Sequence, residues 1–63
     1  MEKLLKTEQV AELFGVHPGT VLHWAQKREI PHIRLAKGLR YRESELERWI
    51  ARRRVKVQYD DEN

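Results

Sequence analysis

Two short apolar patterns of helical spacing, separated by only a few residues, constrain the fold of this chain more than any other feature. In the first pattern Val10, Leu13 and Phe14 recur at i, i+3 and i+4, which places them on one face of a helix. The second pattern repeats this spacing at Val21, Trp24 and Ala25. Because the connection is so short, we expect the two helices to share a core and to cross steeply.

The residues around these patterns predict where each helix begins and ends. Thr7 is a favourable N-cap for the first helix, and Gly15 can adopt the positive φ that ends it. Pro18 suits the first position of the second helix, where its missing N–H is not needed. Val16 and Val21 have the spacing of a hydrophobic staple. Together these signals predict a helix-turn-helix.

The face of the second helix that points away from the core is a candidate binding surface. Its polar residues at three- and four-residue spacing are Thr20, His23 and Lys27. Gly19 at the helix N-terminus lets the backbone come close to a phosphate. Ordinary surface helices also carry a polar face, so this pattern alone leaves both interpretations open.

The next segment predicts a β-hairpin with a strongly basic character. Apolar and polar residues alternate on both sides of a turn at residues 36–38, which contains a glycine. This alternation predicts one apolar face and one basic face, the latter carrying Arg34, Lys37, Arg40 and Arg42. Such a wing suits a phosphate backbone or a minor groove. Charges on short strands also protect sheet edges, but four cations without an acid exceed that need.

Size and charge bound the class of protein. The chain has 63 residues, which is enough for one marginally stable domain but too few for a deep catalytic cleft. We therefore expect that the protein has no enzymatic activity. Residues 27–56 carry eleven Lys and Arg against four Glu, a net charge of +7. Residues 57–63 carry three acids. A basic middle of this kind attracts polyanions, most often nucleic acid.

Several other functions lack a signal in the sequence. There is no cysteine, and the spacing of His17, His23 and His32 matches no zinc motif. We therefore expect no metal and no cofactor. No apolar run approaches the length of a membrane span, and the charged N-terminus does not resemble a signal peptide. A cytoplasmic protein without membrane contact is the expectation.

A third helix is predicted to close the domain. Ser44 and Glu47 have capping-box spacing, although Glu43 is an equally good start. The apolar stripe of this helix consists of Leu46, Trp49 and Ile50. Residues 52–54, three arginines, are either a phosphate clamp or a solvated helix end; we favour the latter, because consecutive side chains point in different directions on a helix. The predicted domain spans residues 1–54, and the acidic tail at residues 55–63 is expected to be disordered.

The combined spacing resembles that of the small excisionase-type proteins, which are similar to the DNA-binding domain of MerR transcription regulators. The residues that carry this resemblance are Leu5, Thr7, Val10, Ala11, Leu13, Gly15, Val16, Thr20, Val21, Trp24, Ala25, Ile30, Pro31, Arg34, Arg40, Tyr41, Leu46 and Trp49. It covers roughly residues 4–51 and implies a mainly α winged helix-turn-helix, with three helices and a two-stranded wing. In that family the second helix enters the major groove.

By position, the resemblance implies a set of DNA contacts. Gly19, Thr20 and His23 would lie at or near base edges, and Lys27 on a phosphate. The wing contacts would be Arg34, Lys37, Arg40 and Arg42. Trp24 has two interpretations: the family often has an aromatic residue there that touches a phosphate, whereas spacing favours the core.

Three departures from the family pattern matter. Arg28 stands where related chains usually have a glycine, so we expect the second helix to run on or to end without a left-handed residue. Leu22 replaces the arginine of the MerR regulators, which removes one expected DNA contact. A long C-terminal dimerisation helix with heptads is also missing.

The sequence thus predicts a monomer that binds double-stranded DNA, as an excisionase or as a small transcription regulator. Because one copy covers little DNA, it is expected to occupy adjacent sites together with further copies. A recombinase or RNA polymerase is the expected protein partner. The alternative is a protein-interaction module whose basic wing docks an acidic partner.

Overall fold

The computed structural model describes residues 2–54, which form three helices and three short strands. In chain order these are β1 (Leu4–Leu5), α1 (Thr7–Phe14), α2 (Pro18–Gln26), β2 (Ile33–Leu35), β3 (Gly38–Arg42) and α3 (Glu43–Arg53). The strands form an antiparallel sheet in the order β1-β3-β2. The predicted three helices and two-stranded hairpin are confirmed, and β1 is an additional strand that the sequence analysis did not identify.

The start of α1 differs from the prediction. Lys6 is the N-cap residue, and its backbone N–H donates to the Gln9 side-chain oxygen at 2.8 Å. Thr7 already lies within the helix, and its hydroxyl forms a hydrogen bond of 3.1 Å with the Tyr41 hydroxyl. The prediction of Thr7 as N-cap is therefore wrong, because a partner on β3 engages that side chain.

The turn between α1 and α2 is the short one predicted. Gly15 has a φ of +69°, and the Val16 N–H donates back to the Ala11 carbonyl at 3.0 Å, which ends α1. Pro18 is the first residue of α2, as expected. His17 is the N-cap, and its ring Nδ1 accepts the N–H of Gly19 at 2.9 Å.

The end of α2 corrects the expectation for Arg28. Its φ is +59°, a left-handed conformation that costs a non-glycine residue roughly 1–2 kcal/mol. The Arg28 N–H donates to the Ala25 carbonyl at 3.0 Å, and the Glu29 N–H donates to the Trp24 carbonyl at 2.8 Å. These two bonds form a Schellman motif. The helix therefore ends in a left-handed residue, although that residue is not glycine.

The hairpin has a different register from the one the alternation suggested. Its loop contains two residues, and the cross-strand pairs are Ile33 with Arg40, Arg34 with Leu39, and Leu35 with Gly38. Paired residues point to the same face of a sheet. The prediction of one apolar and one basic face is therefore wrong, because Arg34 and Arg40 lie on opposite faces and each shares its face with apolar residues.

The N-terminal segment covers the start of α3. Arg42 is the N-cap residue of this helix and provides no side-chain cap. The Glu2 carboxylate instead accepts from the Ser44 backbone N–H at 3.1 Å and from the Ser44 hydroxyl at 2.9 Å. The predicted capping box of Ser44 and Glu47 is therefore wrong, since a carboxylate distant in sequence binds Ser44.

All three helices and β3 contribute to one hydrophobic core. Its buried residues are Val10, Ala11, Val21, Ala25, Ile30, Tyr41 and Leu46. The rings of Phe14, Trp24 and Trp49 are half-buried against it, with centroids 5.5–6.3 Å apart. The predicted stripes are buried only in part, because Leu13 is 62% exposed and Ile50 is 45% exposed.

The remaining predictions from the sequence concern the acidic tail, membrane contact and metal binding. The predicted acidic tail, residues 55–63, lies outside the described residues. No helix within residues 2–54 is long and apolar enough to cross a membrane. In the same range, no group of three His, Asp or Glu side chains is arranged to hold a metal ion.

Candidate nucleic-acid interface

The outer face of α2 carries the polar residues whose spacing in the sequence places them on one side of the helix. His23 and Lys27 are exposed, and Thr20 is half-buried at the start of the same face. The opposite face holds Val21 and Ala25 in the core, which fixes the rotation of the helix. The predicted base-reading residues therefore lie on a helix whose opposite face is packed in the core, and Lys27 lies at its C-terminal end.

The N-terminus of α2 is less open than the sequence suggested. The Gly19 N–H, which we expected to be free for a phosphate, donates to His17. A Cβ atom at position 19 would lie 3.1 Å from His17 Nδ1, a tighter contact than nine in ten real Cβ contacts. Gly19 thus allows the imidazole to cap the helix, and this role was not visible in the sequence.

The wing places its four predicted cations in different environments. Arg34 and Lys37 are exposed, on β2 and in the turn. Arg40 is half-buried, and its guanidinium donates to the Leu39 carbonyl at 2.8 Å. Arg42 is exposed where β3 meets α3 and pairs with Leu4 across the sheet. The turn and both faces of the hairpin thus carry positive charge.

The charge along this part of the chain is continuous. Residues 27–42, from the end of α2 through the wing, contain six Lys and Arg and one acid, Glu29. Such a density of cations produces a positive potential that attracts a polyanion over a distance of about 10 Å at moderate salt. The geometry therefore combines a polar helix face with a basic hairpin that follows it in the chain.

The aromatic residues next to this surface serve packing. Trp24, for which the sequence left two interpretations, is half-buried against the core and its ring lies 5.5 Å from that of Trp49. Trp49 donates its ring N–H to the Glu29 carbonyl, which ties α3 to the segment after α2. The Arg53 guanidinium lies 4.4 Å from the centre of the Trp49 ring, a cation–π distance.

An apolar groove lies beside these rings, between α1 and α3. Its volume is about 460 Å³ and its lining includes Leu13, Phe14, Trp24, Trp49 and Ile50. All five lie on the apolar stripes predicted from the sequence, although Trp24 had a second interpretation as a phosphate contact. Their partial exposure follows from the small size of the domain, which has too few residues to cover both sides of every helix.

Two helices packed across a short turn, followed by a basic hairpin, define a winged helix-turn-helix domain. A family model described as a helix-turn-helix domain matches residues 4–54. The chain therefore belongs to this excisionase-like helix-turn-helix family, whose characteristic ligand is double-stranded DNA. Comparisons with curated proteins and with solved structures gave no match.

Proposed function

We propose that this protein binds double-stranded DNA sequence-specifically, with α2 in the major groove and the wing on the backbone or in the minor groove. The observation that carries the proposal is the exposed face of α2, with Thr20, His23 and Lys27 held outward by the burial of Val21 and Ala25. The major groove admits one α-helix, and polar side chains of this type can hydrogen-bond to base edges.

The wing supplies the sequence-independent part of the binding. Arg34 and Lys37 are exposed, and Arg40 and Arg42 extend the charge along β3. Contacts from such residues to phosphates position a protein on the duplex but do not read its sequence. We therefore assign base reading to α2 and backbone binding to the wing.

Fluorescence anisotropy with duplex DNA at several salt concentrations tests the proposal. With about five phosphate contacts, the logarithm of the association constant should fall with the logarithm of the salt concentration at a slope near −4 to −5. A folded sample that binds no duplex at low salt would contradict DNA binding. It would favour the alternative function, in which the wing docks an acidic protein.

Paired variants test the separate roles of helix and wing. Lys37→Ala should weaken binding to specific and random duplexes alike and lower the salt slope by about one, whereas His23→Ala should mainly cost about 1–3 kcal/mol of discrimination. Lys3→Ala is the matched control, because it removes the same charge from the exposed N-terminal segment. If His23→Ala left specificity unchanged and Lys37→Ala abolished it, the placement of α2 in the major groove would be wrong.

The cellular role proposed is that of an excisionase or a small transcription regulator, with a recombinase or RNA polymerase as partner. Both roles share the binding step. An excisionase acts by shaping DNA for a recombinase, so strong bending of DNA by several bound copies would favour that role. Changed transcription from a promoter that contains the site would favour the regulator.

A further inference from the structure

Arg28 has a backbone conformation that glycine would adopt more easily. It is the one residue other than glycine with positive φ among residues 2–54. The bonds that end α2 use the backbone N–H groups of Arg28 and Glu29 and the carbonyls of Ala25 and Trp24. Any residue except proline supplies these groups, so the helix end does not require an arginine side chain.

The Arg28 side chain is exposed, so it adds little to the hydrophobic core. Strained residues of this kind are concentrated at functional sites, where the side chain has a task that offsets the strain. The surroundings of Arg28 indicate that task. It lines an open groove between the end of α2 and the start of the wing, with a volume of about 630 Å³.

This groove has the chemistry of a phosphate site. Two arginines contribute to its wall, Arg28 from the end of α2 and Arg34 from β2, and His32 lies between them in sequence. A guanidinium is planar and presents several N–H donors, which suits the oxygens of a phosphate. One acid, Glu29, and the apolar residues Ile30, Pro31 and Trp49 also line the groove, so that the two arginines leave it with a net positive charge.

We infer that the groove between α2 and the wing binds a phosphate of the DNA backbone, with Arg28 as a contact that the family pattern does not supply. The inference rests on the proposed DNA binding. A long polyanion fits better than a single small ligand, because Lys27 and Lys37, which stand before and after the groove residues in the sequence, add to the positive charge of this part of the chain. The groove would join the helix contacts to the wing contacts.

The substitution Arg28→Gly in the full chain tests this site, because it removes strain and charge together. Its melting temperature should rise by a few degrees, since glycine adopts the left-handed conformation freely. Its affinity for a short mixed-sequence duplex should fall several-fold at constant salt, and the salt slope should decrease by about one. Arg54→Gly, which removes the same charge outside the groove, should keep the wild-type slope.

The outcomes separate this site from the general proposal. If the wild-type chain binds duplex and Arg28→Gly binds with the same affinity and slope, the site is overturned while DNA binding stands. If the wild-type chain binds no duplex at low salt, both are overturned. Inorganic phosphate is the second probe: if millimolar phosphate protects the wild-type chain but not Arg28→Gly against thermal unfolding, while both bind duplex with the same affinity and slope, the ligand is a free phosphate and the assignment to DNA is overturned.

Discussion

The His17 imidazole lies against the first turn of α2, where its Nδ1 accepts the Gly19 N–H at 2.9 Å. An imidazole nitrogen can accept a hydrogen bond only when it carries no proton. Histidine is not among the residues most favoured as N-caps, which is why sequence reasoning missed this role. The sequence singled out Gly19 because its backbone can come close to a phosphate. The space that Gly19 leaves for the His17 ring was not recognised.

We predict that His17→Ala lowers the free energy of unfolding by about 1 kcal/mol, the usual loss for an N-cap. His17→Asn should restore most of this stability, because its side-chain oxygen can accept the same N–H. Urea unfolding measures the effect. The control is His23→Ala on the exposed face of α2, which should change stability by less than about 0.5 kcal/mol. Equal stability of His17→Ala and the wild type would show that the cap contributes nothing.

At the scale of the elements, the apolar stripes were correctly located but unevenly buried. Val10 is fully buried, whereas Leu13 on the same predicted stripe is 62% exposed. The spacing of residues shows which side of a helix faces the core. It does not show how far the neighbouring elements extend over that side, and this decides which positions on the stripe are covered.

Val10→Ala should therefore destabilise the domain by about 2 kcal/mol, because it leaves a cavity in the core. Leu13→Ala removes more atoms but should cost less than about 1 kcal/mol, since much of that side chain is already in water. Chemical denaturation of both variants compares them directly. Equal losses of stability in the two variants would mean that the Leu13 side chain is buried in solution.

The contact between Glu2 and Ser44 couples the N-terminal segment to α3. Hydrogen bonds from the Ser44 backbone N–H and hydroxyl, with attraction to Arg42 and Arg48, hold the pKa of Glu2 below its ordinary value, against a smaller opposing effect of desolvation. A group whose pKa is lowered by folding stabilises the folded state while it is ionised. That contribution is lost as the pH falls through the lowered pKa.

We predict that Glu2→Gln lowers the melting temperature at neutral pH and that this difference disappears as the pH falls through the lowered pKa of Glu2, below the ordinary range of a glutamate. Thermal unfolding of both proteins across this range measures the effect. Glu12→Gln, an exposed change on α1, is the control and should show a smaller dependence on pH. A Glu2→Gln difference that stayed constant with pH would exclude an ionic contribution.

At the scale of the whole molecule, the charge distribution and the small size of the chain indicate a binding domain that is monomeric when free. The basic surface runs through residues 27–42, whereas residues 2–26 carry more acids than bases. The apolar groove beside Phe14, Trp24 and Trp49 is an exposed apolar feature of the described part of the chain. Its half-buried rings offer far less than the roughly 800 Å² per partner that a stable dimer usually buries.

Free protein is therefore expected to sediment as a monomer. A single domain of this type buries roughly 600–1,000 Å² of its surface on DNA, and an interface of this size gives only marginal affinity for a specific site. Binding to repeated adjacent sites should be tighter per copy than binding to one site, through contacts between neighbouring copies. Sedimentation and titration onto duplexes with one or several sites provide the measurements. A stable dimer without DNA, or the same affinity per copy on both duplexes, would contradict this prediction.

The sequence by itself determined the helix-turn-helix and its outer face. Gly15, Pro18 and the apolar spacing act locally, within one or two turns of helix, so that composition and spacing suffice to predict them. The alternation of apolar and polar residues around 36–38 likewise predicted the place of the hairpin after α2. The same local reasoning could not identify β1, because two residues form a strand only when β3 lies beside them.

Only the tertiary structure decided how the hairpin directs its charges. Alternation assigns faces within each strand, but the loop length sets how the two strands pair. A three-residue loop at 36–38 would have paired Arg34 with Arg40, whereas the two-residue loop pairs Arg34 with Leu39. A shift of one residue moves a strand's side chains to the other face. Register depends on contacts between strands, and a pattern read along one strand does not contain them.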